Sequence, residues 1–288
     1  MGWLDDQARL GRDVLSYQDL AGFMFEGARV PLMDPQRGIR KPAILTAALS
    51  VRTTFTLPGQ APPYEDAQGP DGLLRYKYRG QDPSHPENVA LRRAYEKRYP
   101  LVWFVAAAPG RYVPIYPIWI VADEPKQLQF VVAFDIGQRL VPVGLVGDAD
   151  ERQYIERLTR QRLHQPVFRA QVLHAYAHTC AMCRLRYSSL LDAAHILRDG
   201  HPRGSPVVQN GLSLCKIHHA AYDLNFLGVR PDLVVEVRMD VQSGIDGPML
   251  LHGLQEMGGV RLVVPHSRSA RPDPGRLEER YEEFRQAG

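Results

Sequence analysis

Apolar and polar positions divide the chain into two halves of different character. In the first half, short runs rich in β-branched and aromatic residues are punctuated by Pro and Gly. They are LSVRTTFTL over 49–57, LLRYKYRG over 73–80, LVWFVAAA over 101–108, YVPIYPIWIVA over 112–122 and LQFVVAF over 128–134. Such runs fit a pleated, half-buried surface and predict strands. Residues 3–16 predict a short opening helix, and ENVALRRAYEK (87–97) predicts a helix between strands. The run VPLMDPQRGIRK (30–41) reads as a basic, Pro/Gly-punctuated loop. Residues 1–145 therefore predict a mainly β domain with a curved or barrel-like sheet. In the second half, 147–163 predicts a helix with Asp148 or Asp150 as N-cap, so 146–166 reads as a helical linker. A further helix over 168–178 leads directly into Cys180. Strands over 233–239 and 260–265 and a charged helix over 274–286 complete a domain spanning 167–288. The fold class expected is α+β.

Composition changes this picture little, and charge only locally. With 35 basic and 32 acidic residues the net charge is +3, so a polyanion partner must be met by local clusters. The opening segment MGWLDDQARLGRD is polar, and no apolar run has the length of a signal peptide or membrane span. The expectation is a cytoplasmic protein with no membrane partner. Three cysteines in a reducing compartment argue against a disulfide framework.

Those cysteines are not scattered. All three lie between Cys180 and Cys215, and seven of the ten histidines lie between His164 and His219. Cys180-Ala-Met-Cys183 is a C-x2-C pair, and Cys215-Lys-Ile-His218 is a matching C-x2-H pair. Two such pairs can close a tetrahedron around Zn²⁺ with no position left for water, which makes a structural site. Between the halves of this knuckle lie LLDAAHI and NGLSLCKIHHAAYD, placing His195, Asn210 and His219 in order. An imidazole is suited to deprotonating water near neutral pH. His218 and His219 are adjacent at a helix start and point about 100° apart, so one can serve zinc while the other faces elsewhere.

The AAHI, NGLxLC and HHxxYD segments together resemble the HNH endonuclease family over roughly residues 170–230. The resemblance implies a ββα-metal fold around one catalytic divalent cation, Mg²⁺ or Mn²⁺. It implies His195 as general base, Asn210 as the residue fixing the base-bearing loop, and His219 as cation ligand. Many members carry an acidic residue or His directly before the base, where this chain has Ala194. Asp192, on the same strand face as Ala194, either supplies the missing cation ligand or caps a turn. Arg198 and Lys216 read either as phosphate contacts or as solvated surface charge.

In the first half, Gly38-Ile39, Ser50-Val51, Tyr64-Glu65-Asp66, Tyr78-Arg79-Gly80 and Asn88 to Leu91 are similar to the SRA fold, a PUA-like domain that binds DNA containing 5-methylcytosine. Arg79 departs from the Thr common in that family, and the spacing from Tyr64 to Tyr78 is slightly long. The resemblance implies a flipped-base pocket, because a cytosine methyl can be inspected from all sides only outside the stack. Tyr64 and Tyr78 would sandwich the base, Asp66 would accept from its amino group, and Arg79 would line the pocket. Arg37, Arg40 and Lys41 would hold the DNA backbone. The combination resembles modification-dependent restriction endonucleases, which implies double-stranded DNA with modified cytosine as substrate and a homodimer as the acting form. An HNH nuclease with another specificity, and a non-catalytic zinc-stabilised DNA-binding protein, are the competing readings.

Overall fold

The computed structural model describes residues 1–55, 68–141, 143–144 and 149–287. Its contacts divide into two units, Met1–Val167 and Phe168–Gly288, with the boundary inside the helix Gln165–Ala175.

The N-terminal unit is built on a curled, half-barrel sheet. Its strands run Ile39–Arg40, Ser50–Thr53, Leu101–Ala108, Arg111–Glu124, Gln129–Ala133 and Leu74–Lys77 in spatial order, with Leu15–Ser16 added to Arg111–Glu124. All pairings are antiparallel except that of Ser50–Thr53 with Leu101–Ala108. The 14-residue strand Arg111–Glu124 serves two sets of neighbours. Its first part pairs with Leu101–Ala108 and its last part with Gln129–Ala133, with a register shift between Ile120 and Ala122. Such a bulge adds local twist and lets one long strand bend a sheet on itself. Trp103, Phe104, Ile118 and Phe130 are fully buried on this sheet.

The helix Pro86–Glu96 begins with Pro at its first turn and is capped by the His85 side chain. It buries Asn88, Ala90, Leu91 and Ala94. The two end strands do not pair with each other among the described residues. Instead, the Tyr76 hydroxyl donates to the carbonyls of Gly38 (3.1 Å) and Arg52 (3.2 Å), spanning the gap.

The opening helix is shorter than the sequence predicts. It covers Gly2–Arg9, because the chain turns at Gly11 with φ +73°. The linker prediction resolves into an α-helix Ala149–Thr159, a π-helical turn Arg160–His164 and the start of Gln165–Ala175.

In the C-terminal unit an antiparallel hairpin, Leu191–His195 with Gly211–Cys215, is followed by the helix Lys216–Asp223. Gly211 has a steric reason to be glycine. A Cβ there would come within 2.4 Å of Val172 and 2.9 Å of Phe168 on the helix Gln165–Ala175. A second hairpin, Leu227–Val229 with Val235–Val237, follows. The terminal helix Pro274–Gln286 packs on it through Phe284, which lies against Gly228. Arg280 of that helix is buried. It donates to the Tyr222 carbonyl (2.6 Å) and to Asn225, and its guanidinium lies 4.7 Å from the Tyr222 ring centre. A cation at the C-terminal end of Lys216–Asp223 also complements that helix's dipole. The strand expected over 260–265 reduces to one bridge, Val234 with Arg261.

Candidate active site and metal cluster

Cys180, Cys183, Cys215 and His218 bring one ligand atom each to within 4.8 Å of one another. Cys180 and Cys183 sit on a tight turn whose backbone is fixed by Cys180 N–H to Leu185 O (2.8 Å) and Arg184 N–H to Cys180 O (3.0 Å). That turn docks on the hairpin through Ala181 N–H to Ser213 O, at 2.7 Å. Cys215 ends the second hairpin strand, and His218 lies in the first turn of the helix that follows. His218 Nδ1 is 3.5 Å from Cys180 Sγ and 3.3 Å from Cys215 Sγ. A tetrahedral zinc sets an S···N edge of about 3.5 Å from its usual bond lengths. His218 Nε2 lies 2.8 Å from the Gly253 carbonyl, which fixes the tautomer that presents Nδ1 as ligand.

Hydrogen bonds from Cys183 and Cys215 drive the Cys180 thiol far down, while Cys183, facing the Cys180 sulfur, is driven up. Three thiols this close cannot all ionise without a cation among them. The donor set and its spacing therefore fit a structural Zn²⁺.

His195 ends the first hairpin strand, opposite Gly211. Its ring stacks on Phe168 with 4.2 Å between centres and 21° between planes. Nε2 is buried and has no hydrogen-bond partner among the described residues. Burial lowers the imidazole below its ordinary value, opposed only partly by the charges of Asp199 and Asp223. A neutral imidazole with an unpartnered ring nitrogen can accept a proton.

Asn210 is fully buried. Its Oδ1 accepts from Leu197 N–H (2.9 Å), and its Nδ2 donates to the carbonyls of Leu197 (2.9 Å) and Ser205 (3.2 Å). Its own carbonyl accepts from Ile196 N–H at 2.9 Å. The residues directly after His195 are thus tied to Asn210 through both backbone and side chain.

His219 occupies the next helical position after His218 and faces away from the thiol cluster. Its Nδ1 is 3.7 Å from Asp192 Oδ2 and its Nε2 is 3.3 Å from Asp223 Oδ2. The carboxylate of Asp192, then that of Asp223, pushes His219 up to about 9 against its desolvation. Burial pushes the Asp192 carboxyl up, but the neighbouring His219, with Ala193 N–H and Arg169, outweighs it and leaves Asp192 lowered. Asp223 is legible in retrospect as an i,i+4 partner of His219 on a helix. Arg169 and Phe168 carry no such signal, since they reach the hairpin only through tertiary packing.

In the N-terminal unit a cavity of about 120 Å³ opens between the two end strands of the sheet. Gly38, Arg52 and Thr53 line it from one side, Lys77, Tyr78 and Arg79 from the other, and Glu87 also borders it. Tyr78 is buried: its ring packs on Phe130 at 4.6 Å, and its hydroxyl donates to Asp123 and accepts from Arg92 (3.1 Å). One ring face is therefore already taken. The side chain of Arg79 is exposed, while its backbone is clasped by the buried Asn88 amide at 2.8 and 3.1 Å. Tyr64 and Asp66 lie outside the described residues. Of the basic loop, Arg37 is exposed and 4.0 Å from Asp34. Arg40 donates to the Pro31 carbonyl (3.1 Å) and Lys41 to that of Leu45 (3.2 Å). Arg52 and Glu87 join the cavity without a motif to announce them; the Nε of Arg52 is buried with no partner among the described residues.

An antiparallel hairpin followed by a helix thus carries a Cys₃His cluster at one end, with His195, Asn210 and His219 along it. Residues 180–230 match the profile of the HNH endonuclease family. The chain carries an HNH endonuclease domain; it is a nuclease, and DNA is the substrate that family implies. Among solved structures, one match is a "Modification dependent TagI restriction endonuclease", at 17% identity and a TM-score of 0.32, covering 86% of this chain and 85% of that one. No curated protein matches the chain. Among the described residues, no helix is long and apolar enough to cross a membrane.

Proposed function

We propose that the protein is a modification-dependent DNA endonuclease, with cutting in the C-terminal unit and recognition in the N-terminal one. The observation that carries the cutting role is His195: an imidazole kept neutral by burial, its Nε2 unpartnered among the described residues, on a hairpin whose following loop is clamped by Asn210. In this reading His195 takes a proton from the water that attacks the phosphodiester, and Asn210 keeps it in place. His219, with a neighbouring carboxylate such as Asp192, holds the divalent cation, Mg²⁺ or Mn²⁺. When bound, that cation supplies charge stabilisation to the scissile phosphate and the leaving oxygen. Cys180, Cys183, Cys215 and His218 hold zinc and fix the hairpin against the helix.

Recognition rests on the SRA-like motif and on the cavity between the sheet ends. The substrate would be double-stranded DNA carrying 5-methylcytosine or a related cytosine, flipped into a pocket walled by Tyr78 and Arg79 and completed by Tyr64 and Asp66. Arg37, Arg40 and Lys41 would hold the backbone. One cutting centre per chain favours a homodimer for double-strand cleavage.

Digestion of cytosine-methylated and unmethylated plasmid in Mg²⁺ or Mn²⁺ tests the reading. Only the methylated plasmid should be cut, and His195→Ala should bind it without cutting. Equal digestion of both plasmids would remove the modification dependence, and a fully active His195→Ala would remove His195 from the mechanism.

A further inference from the structure

The loop after His195 is held from two sides. Asn210 ties its root through Leu197 and Ser205. Its outer part, from His201 to Gln209, is bound by a segment far along the chain, Ser269 to Glu279. We propose that Glu279, on the terminal helix Pro274–Gln286, is a positioning residue for cutting: it grips this loop through His201 and Arg203 and so holds His195 in place. This rests on the assignment of His195 as general base made above and names the group that braces it from outside the hairpin and its helix.

Each oxygen of the Glu279 carboxylate takes a different residue of the loop. Oε1 lies 3.0 Å from His201 Nε2, and Oε2 accepts from the Arg203 guanidinium at 3.0 Å. His201 Nδ1 accepts from the Arg203 N–H (3.2 Å), so the ring hydrogen sits on Nε2 and is donated to Glu279. One carboxylate therefore closes a ring of hydrogen bonds through two loop residues that are themselves bonded. Asp273, Arg276 and Glu279 stand three apart, so they line one side of the helix. Arg203 also meets Asp273 (3.6 Å), and Arg276 donates to the Ser205 hydroxyl (3.3 Å). At the far end of the loop, Asp273 N–H donates to Gln209 O (3.0 Å) and the Gln209 amide to Ser269 O (2.6 Å).

The loop can carry this restraint to the base because it is stiff. Two successive turns, His201 N–H to Arg198 O and Gly204 N–H to His201 O, both at 2.8 Å, fold it on itself. A Cβ at Gly204 would come within 1.9 Å of the Arg198 carbonyl oxygen, so the two turns press directly on each other. A shift at His201 or Arg203 therefore moves Arg198, close behind His195 in the chain. The helix is fixed in its turn. Leu277, Arg280 and Phe284 are buried, and Arg280 donates to the Tyr222 carbonyl (2.6 Å) on the helix that carries His219. Glu279 thus braces the base loop against the other half of the site. Exposed ion pairs contribute little to stability, and Glu279 is 37% exposed, so its effect belongs in the rate rather than in folding.

The test uses the full-length, zinc-loaded protein as wild type, Glu279→Ala, Arg203→Ala, the double variant, Glu278→Ala and His195→Ala. Single-turnover nicking at saturating Mn²⁺, on a plasmid the wild type cuts, gives the rate. Anisotropy of a labelled duplex gives DNA affinity, and zinc content and melting temperature report folding. Glu279→Ala should lower the rate about tenfold, less than the roughly 100-fold expected of a full 1 Å displacement, because Asn210 still holds the root. DNA affinity, half-saturating Mn²⁺ and zinc content should keep their wild-type values, with the melting temperature within about 4 °C. Arg203→Ala should fall partway, and the double variant should be no slower than Glu279→Ala, because both remove one grip. Glu278→Ala, exposed one position earlier, should nick as wild type. A wild-type rate in Glu279→Ala, a loss no larger than its unfolded fraction accounts for, or a double variant that multiplies the two losses would each overturn the proposal. If His195→Ala nicks as wild type, the base assignment itself fails, a result distinct from the other three.

Discussion

Asn210→Ala isolates how the loop behind His195 is held. The substitution removes three hydrogen bonds, two to the buried backbone of Leu197 and one to the carbonyl of exposed Ser205. The Ser205 carbonyl can turn to water and contributes little. The Leu197 N–H is left buried without an acceptor, at a cost of about 1–3 kcal/mol, and its carbonyl loses a donor at about 0.5–1.5 kcal/mol. The sum is roughly 2–4 kcal/mol, which for a unit of this size lowers the melting temperature by roughly 6–15 °C. The loop begins at Ile196, so a displacement of about 1 Å at the base should cost on the order of 100-fold in nicking. Thermal unfolding followed by near-ultraviolet circular dichroism, beside plasmid nicking at saturating Mn²⁺, measures both. Asn210→Asp keeps an acceptor for Leu197 N–H but sets a carboxylate oxygen against the Leu197 carbonyl, and should be no better than Ala. A melting temperature within about 2 °C of wild type, with unchanged nicking, would refute the reasoning.

Three further outcomes follow from the same geometry. Burial lowers His195, so its neutral form persists below pH 6.5; nicking at saturating Mn²⁺ should hold its rate at pH 6.5 and fall only on further acidification, and a midpoint above 6.5 would contradict the burial argument. His219 is raised to about 9, so without the cation its contribution to stability is complete below pH 6.5 and is lost as pH rises through about 9; calorimetric Mn²⁺ binding in that window should release one proton and tighten about tenfold per pH unit, and a pH-independent affinity would count against His219 as ligand. Stripping zinc with a strong chelator, or Cys215→Ser, should unfold the C-terminal unit, since structural zinc contributes on the order of 10 kcal/mol; Mg²⁺ alone should not restore nicking, and persistent native circular dichroism in metal-free protein would argue against a structural role.

The local patterns were legible because they depend on neighbours in sequence. β-branched runs placed the central strands Leu101–Ala108 and Gln129–Ala133 close to where they lie, since those segments are buried along most of their length. The terminal helix was legible from its charged sequence over 274–286, and the fold shows Asp273 capping it ahead of Pro at the first turn. The two C-x2 pairs identified a four-ligand cluster, because a turn fixes each pair and the hairpin needs only to bring the turns together. The split between His218 and His219 follows from the helical angle alone.

Tertiary structure decided what depends on distant segments meeting. The strand over 260–265 looked as apolar as the others, yet it makes one bridge, Val234 with Arg261, because its next amides turn to different partners, Leu262 N–H to Leu233 O (2.8 Å) and Val263 N–H to Ala181 O (2.9 Å). Tyr78 looked like an open aromatic face, but Phe130, Asp123 and Arg92 from three other elements close around it. The contrast is sharpest at His219. The sequence offers Asp192 as the acidic neighbour of the site, and Asp223 joins it only once the helix sets it one turn beyond His219. Only the fold brings Arg169 onto Asp192 and leaves Asp223 open, because the helix that carries Arg169 packs across the hairpin at Gly211, where no side chain stands in its way.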